Sequence, residues 1–309
     1  MAEAESKHPN KVWTTLITNT KYLSGLLTLD YSLKKNGSKY PLLALYTDTF
    51  PEEGHKALDT RQIPKQLVKY MLPSVEKDFT NDPRFYDCWS KLVPFSMTQY
   101  ERIVQLDSDM LVLRNMDELM DLELDPPAME GTGDRVFAAS HACVCNALKK
   151  PHYPKDWVPE NCAFTTQHGD PEAAQVQGAP ATAGLGMPNG GLQVVNPSKA
   201  IFESISKRMA DSESVGGYDF ADQSLLSDLF GGRWVALPYT YNALKTMAWK
   251  ETHATIWRDK EIKNIHYLLS PKPWDEKPGE EQYENHKWWW QYNLERLAEE
   301  RTRDIVDGF

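Results

Sequence analysis

The 309-residue chain carries 44 acidic against 34 basic side chains, a formal net charge of -10, which argues against a general nucleic-acid binder but not against a phosphorylated small molecule held through a cation. Hydrophobic residues at 41% and charged residues at 25% fit a globular protein with a substantial core. No window approaches the ~20 apolar residues of a membrane span, and four cysteines are too few for a disulfide framework.

The opening, MAEAESKHPNK, lacks the apolar stretch of a secretory signal, so the cytoplasm is the expected compartment. Residues 1–10 read as a flexible tail and 11–309 as a single domain. Val12 to Ile17 is apolar and β-branched enough for a first strand, broken by Thr18, Asn19 and Thr20, where Asn19 suits a helix cap. Leu23, Leu26, Leu27 and Leu33 recur at helical spacing over Tyr22 to Lys35, and Asn36-Gly37 ends that helix. A second strand covers Pro41 to Tyr46, a helix Pro51 to Thr60, and a further strand lies near Gln66 to Leu72. Strand and helix alternate, the pattern of a parallel sheet with crossover helices. Trp89 to Tyr100 reads as an amphipathic helix.

Two short apolar runs then flank Asp107-Ser108-Asp109: Ile103 to Leu106 before it and Met110 to Leu113 after it. Two carboxylates at the end of a buried strand need a partner. A hard divalent cation supplies one; capping of the turn is the plainer alternative. Asn115 to Met120 suits a short helix. From 121 to 185 Pro, Gly and Ala rise and periodicity fades, which suits a long loop of the kind that serves as a lid or as an acceptor-binding element. Within it Val136 to Ala139 is a strand. His141, Cys143, Cys145, Cys162 and His168 follow, but their spacing matches no strong zinc template, so buried reduced thiols are expected.

Asn189-Gly190-Gly191 permits close backbone approach to a ligand or a strained turn. Leu192 to Val195 is a strand, and Pro197-Ser198 opens a helix running to about Ala210. Asp219 to Gln223 leads into a helix over Ser224 to Phe230, with acidic groups at its favourable end. Trp234 to Leu237 is a strand. His266, within the apolar Ile262 to Leu269, reads on its own as a core histidine. A last helix spans about 283–303, and its Trp288, Trp289, Trp290 and Tyr292 suit packing.

Several segments, in order, resemble the glycosyltransferase family that contains glycogenin and plant galactinol synthase. They are TLITNTKYLSG at 15–25, SKL at 90–92, QLDSD at 105–109, PNGGLQVVNPS at 188–198, FADQSLL at 220–226 and HYLLSPKPW at 266–274. The resemblance spans about residues 11 to 292. It implies a GT-A fold, an α/β architecture whose Rossmann-like domain binds a nucleotide-sugar on a mixed, mostly parallel sheet with flanking helices. YPLLALYTDTFPEEGHKAL at 40–58 and YNALKTMAWK at 241–250 are closer to the galactinol-synthase branch.

By the resemblance, Asp107, Asp109 and His266 hold Mn2+ or Mg2+, and Ser108 and Gly190 sit in the same donor-binding segments. Lys272 contacts the diphosphate. Leu16, Thr18, Asn19 and Tyr22 form the uridine pocket. Lys91, Asn189, Asp222 and Gln223 surround the donor sugar, with Lys91, Asp222 and Gln223 in the catalytic set and the Gln223 amide oxygen facing the reacting carbon. The implied partners are UDP-galactose or UDP-glucose and a small polyol or sugar acceptor, with retention of configuration. Monomer and homodimer stay open. Three positions depart from glycogenin: Leu269 replaces a Gly of its H-F-L-G-x-x-K-P-W pattern, Gly190 a Ser and Phe220 a Gly. The acceptor tyrosine of glycogenin falls on Trp249, which has no hydroxyl.

Overall fold

A computed structural model describes residues 10–74 and 85–309, so the expected tail, apart from Asn10, lies outside the described residues. The strands are β1 (Lys11–Ile17), β2 (Leu42–Tyr46), β3 (Lys65–Leu67), β4 (Arg102–Leu106), β5 (Met110–Val112), β6 (Phe137–Ala139), β7 (Leu192–Val195), β8 (Val235–Ala236), β9 (Ala243–Leu244) and β10 (Asn264–His266). The α-helices are α1 (Leu23–Lys35), α2 (Glu52–Thr60), α3 (Phe85–Cys88), α4 (Lys199–Ala210), α5 (Ser212–Gly216), α6 (Ala221–Phe230) and α7 (His286–Arg301).

Seven strands form one sheet in the order β3-β2-β1-β4-β7-β6-β8. Parallel pairing joins β3 to β2, β2 to β1, β1 to β4 and β6 to β8, while β7 runs antiparallel to both β4 and β6. A second sheet, β5-β10-β9, stands beside it. Central β4 is buried along its whole length. Ile103 enters one core and Val104 and Leu106 the opposite one, because successive side chains leave opposite faces. The first core also takes Trp89, Phe95 and Phe137; the second takes Trp13, Leu26, Leu27 and Leu33. A third cluster under the small sheet collects Trp157, Phe164, Phe220, Tyr267 and Trp289.

The expected elements appear with shifted ends, and two expected helices are 3-10. The segment read as a helix over Trp89 to Tyr100 follows the single α-turn α3 and is a 3-10 helix over Trp89–Ser96. Pro94 inside it has no N–H to donate, which breaks an α-helical ladder. The strand expected near Gln66 to Leu72 is only β3. The short helix after the D-S-D segment is a 3-10 turn over Asp117–Asp121. The helix expected from Ser224 begins earlier, at Ala221, whose φ of 36° is a strained entry. Leu269, with φ 64°, occupies the left-handed region, which accounts for the Gly of the related pattern: a side chain there costs roughly 1 kcal/mol.

The Trp-rich α7 is packing, as expected. Trp289 is buried against Trp274, their ring centroids 5.5 Å apart, and the Trp290 indole donates to the Pro273 carbonyl at 2.9 Å. The helix thereby braces the turn that carries Lys272. At its other end, buried Glu300 receives bidentate bonds from Arg61 of the turn after α2, at 2.8 and 2.7 Å, and two more from Arg296, both 2.8 Å.

Candidate active site

The carboxyl ends of β1 and β4 open into a cavity of about 440 Å³, where ligands bind in sheets of this kind. Asp107 follows β4 and Asp109 precedes β5, so the short turn between the strands brings both carboxylates to one place. Ser108 secures the turn by donating its hydroxyl to the Leu16 carbonyl at 3.2 Å. Gly25 in the first turn of α1 lets this happen: a Cβ there would stand 2.4 Å from the Ser108 carbonyl oxygen and 2.7 Å from the Trp274 ring. Leu16, Thr18, Asn19 and Tyr22 line the same cavity. Thr18 donates to Asp87 at 2.8 Å and Tyr70 donates to the other oxygen of Asp87 at 2.7 Å. Asp87 also lines the cavity and was not singled out in the sequence.

Each carboxylate of the turn has its own ammonium group. Lys91 donates to Asp107 at 2.7 Å. Lys272 donates to Asp109 and, at 2.8 Å, to the Tyr267 carbonyl. Burial opposes charge on Asp109, but Lys272 and His266 hold its carboxyl well below the usual range. Burial also works against the Lys91 cation, yet the Asp107 charge raises it well above an ordinary lysine. Asp222, 2% exposed, stands nearby with its carboxyl pushed up to about 7 by burial, against the pull of Lys91.

His266 reaches the pair from β10, its Nε2 lying 3.2 Å from Asp109 and 3.6 Å from Asp107. A chain of amides sets its tautomer. The Gly191 N–H donates to Asn189 Oδ1 at 3.0 Å, so that atom is an acceptor. Asn242 must then point its Nδ2 at the same oxygen, 2.8 Å away, and offer its Oδ1 to His266. The 3.0 Å contact is therefore a donation from His266 Nδ1–H, which leaves Nε2 to face the carboxylates and, once deprotonated, to bind a cation. Asp107, Asp109 and His266 each bring a ligand atom within 4.8 Å of the others. Carboxylate oxygens with one imidazole suit a hard divalent cation such as Mn2+ or Mg2+, so the residues fit one.

The two glycines expected to permit close approach do so, towards site side chains. A Cβ on Gly191 would lie 2.5 Å from the His266 ring, and one on Gly190 would lie 2.1 Å from the Asp222 carboxylate. Neither has a left-handed φ. The Gln223 amide oxygen accepts from the Gly190 N–H at 2.9 Å and from Asn189 Nδ2 at 3.2 Å. Both of its lone pairs are used there, so facing a reacting carbon requires it to release them.

The loop expected on the acceptor side forms one wall. Tyr153, Trp157 and Phe220 line the cavity, with Trp157 stacked on Phe220 at 4.1 Å between centroids. Trp249 stacks on Tyr283 at 5.6 Å. Of the residues overlooked in the sequence, Asp87, Tyr153 and Trp157 carry no local pattern. Asn242 sits in the Tyr241-Asn242 pair, but nothing there shows its hold on His266.

A family model for glycosyl transferase family 8 matches residues 14–277, from Thr14 beyond Lys272. The chain belongs to that family. Its fold is the GT-A fold, and the family's chemistry is glycosyl transfer. An uncharacterized protein, R707, of Acanthamoeba polyphaga mimivirus is 28% identical over 264 residues, 85% of this chain and 81% of its own length. Galactinol synthase 1 of Solanum lycopersicum is 26% identical over 312 residues, covering 96% of this family 8 chain and 85% of itself. The apo crystal structure of the glycosyltransferase GlyE from Streptococcus pneumoniae superposes with a TM-score of 0.59 at 18% identity, over 96% of this chain and 64% of that one. Among the described residues, no helix is long and apolar enough to cross a membrane.

Proposed function

We propose that residues 11–309 form one catalytic domain, working in the cytoplasm, that moves galactose or glucose from a UDP-sugar to a small polyol or sugar with retention of configuration, in the manner of galactinol synthase. The observation that carries this reading is the amide relay from Gly191 to His266, which aims Nε2 at two carboxylates of a family 8 chain. Asp107, Asp109 and His266 would hold the cation; bound there, it neutralises charge developing on the departing diphosphate. Lys272, fixed by the Tyr267 carbonyl, adds a positive charge on the same side. Tyr22 and its neighbours in the cavity suit the uridine, because an aromatic ring can stack on the base.

Lys91 and Asp222 lie where the sugar of the donor would rest, and Gln223 holds the Asn189-Gly190 turn beside it. Trp157 and Phe220 offer an apolar face, and Asn146 and Lys150 polar groups, for an acceptor with hydroxyls on both sides. At the glycogenin acceptor position, Trp249 is a packing residue against Tyr283. The test incubates the protein with Mn2+ and UDP-galactose or UDP-glucose, with inositol and simple sugars as acceptors. Transfer to a small acceptor, with the protein's intact mass unchanged, is expected. A ladder of hexose additions mapping to residues 241–266 would overturn the small-acceptor reading.

A further inference from the structure

Behind the acceptor-side wall the fold gathers three cysteines and a histidine that the sequence scatters over more than a hundred residues. Cys143 and Cys145 follow β6, Cys162 ends a 3-10 turn, and His253 comes from the turns beyond β9. Their sulfurs lie 3.4, 3.2 and 3.3 Å from His253 Nε2. All four ligand atoms fall within 4.8 Å of one another. A tetrahedral zinc ion with ordinary Zn–S and Zn–N bonds places sulfur about 3.6 Å from nitrogen and about 3.8 Å from sulfur. One ring nitrogen with a single lone pair or proton cannot satisfy three thiols, whereas a cation at their centre engages all four groups.

We infer that Cys143, Cys145, Cys162 and His253 bind a structural zinc ion. Cys162 and His253 are fully buried, and the four protein ligands leave no open position for a substrate. The outer groups also fit. His253 Nδ1 lies 3.0 Å from His168 Nε2, so a proton shared there leaves Nε2 to the metal, and the Phe164 ring packs edge-on against the imidazole at 5.5 Å. This recasts the thiols from inert packing groups to ligands. His141, grouped with them in the sequence, is not one: its Nε2 lies 3.1 Å from the Ala179 carbonyl. Cys143, Ala142 and Asn146 line the catalytic cavity. The ion would therefore tie a wall of short turns to the segment after β9, where regular structure is too sparse to hold it. Sulfur-rich and closed, this site is chemically distinct from the oxygen-rich Asp107-Asp109-His266 set.

The test is elemental analysis of the purified full chain by mass spectrometry, together with its Asp109→Asn and Cys162→Ser variants. About one zinc per chain should survive gel filtration in wild type and in Asp109→Asn, and be lost from Cys162→Ser. Should Cys162→Ser not fold, wild type reduced, stripped and refilled with Co2+ answers the question, because three thiolates on a tetrahedral cobalt give intense charge-transfer absorption. Absence of zinc together with absence of that absorption would overturn the proposal. So would a disulfide among the three cysteines of the native protein.

Discussion

Replacing Asp222 by Asn separates what the carboxylate does for the reaction from what it costs the fold. Burial pushes this carboxyl from 3.8 up to about 7. An unfolded chain releases the proton near the ordinary value, while the folded chain keeps it until about 7. Stability therefore falls as pH rises through that interval, and the full penalty is present above it. The gap corresponds to roughly 4 kcal/mol. Asn keeps the shape, still accepts from Gln193, whose Nε2 lies 3.4 Å from Asp222, and never ionises. With a chelator present, circular dichroism melts should show the variant more stable than wild type at pH 8 by up to about 8 °C, with almost no difference at pH 4. Transfer by the same variant should fall about 100-fold, because a group beside Lys91 in the cavity is altered. A melting difference that is the same at both pH values, or a variant less stable than wild type at pH 8, would refute the argument from a buried, costly carboxylate.

Asp109→Asn should lower transfer at saturating Mn2+ by about 100-fold or more while the circular dichroism spectrum stays native; near wild-type turnover would remove Asp109 from the metal set. Asn242→Ala deletes the acceptor of His266 Nδ1–H without touching a ligand atom. It should weaken Mn2+ about 10- to 100-fold in calorimetry and leave UDP binding in the absence of metal unchanged; unaltered Mn2+ affinity would break the proposed relay. Glu300→Gln leaves Arg61 and Arg296 buried without their shared carboxylate and should cost about 3 kcal/mol in urea denaturation. Although burial opposes it, the two arginines hold the Glu300 carboxyl below 4.5, so its stabilisation is present above that value and is lost as pH falls. The gap between wild type and variant should close in acid, and a gap that widens there would contradict the assignment.

The frame of the molecule was legible because its strands are short apolar runs ended by polar punctuation. β1, β2, β4 and β7 could be placed from composition alone, and a turn at Asp107 to Asp109 is one of the two readings that the D-S-D segment allows. What local pattern does not carry is the pairing of irregular segments. The hold of Asn242 on His266 depends on an amide fixed by Gly191, far away in sequence. His253 lies about ninety residues beyond Cys162, so no spacing rule for metal ligands reaches it. Trp157 and Phe220 meet face to face only because a long loop folds over the sheet. The Trp89–Ser96 segment shows the opposite error: its periodicity is helical, yet one proline decides the ladder.

The charge balance around Asp107 and Asp109 predicts how metal and donor depend on each other. Asp107 is matched by Lys91 and Asp109 by Lys272, while Asp222, at about 7, is only partly ionised near neutral pH. A bound cation needs the His266 nitrogen deprotonated, so this ligand adds no charge to the loaded site. The cluster is therefore close to neutral, so a divalent cation gains little net attraction from it and leaves it with an excess of about two positive charges. A diphosphate brings the charge that cancels this excess. Mn2+ alone should bind weakly, and UDP should tighten it; by linkage Mn2+ must tighten UDP by the same factor. Lys272→Met sharpens the test, since it leaves Asp109 without its ammonium. The cluster becomes more negative, so Mn2+ alone should bind more tightly than in wild type while the gain from UDP shrinks. Calorimetric titrations of each ligand with and without the other, in wild type and variant, measure both effects. Independent binding of Mn2+ and UDP, or a variant with weaker affinity for Mn2+ alone, would show that the lysines do not set this balance.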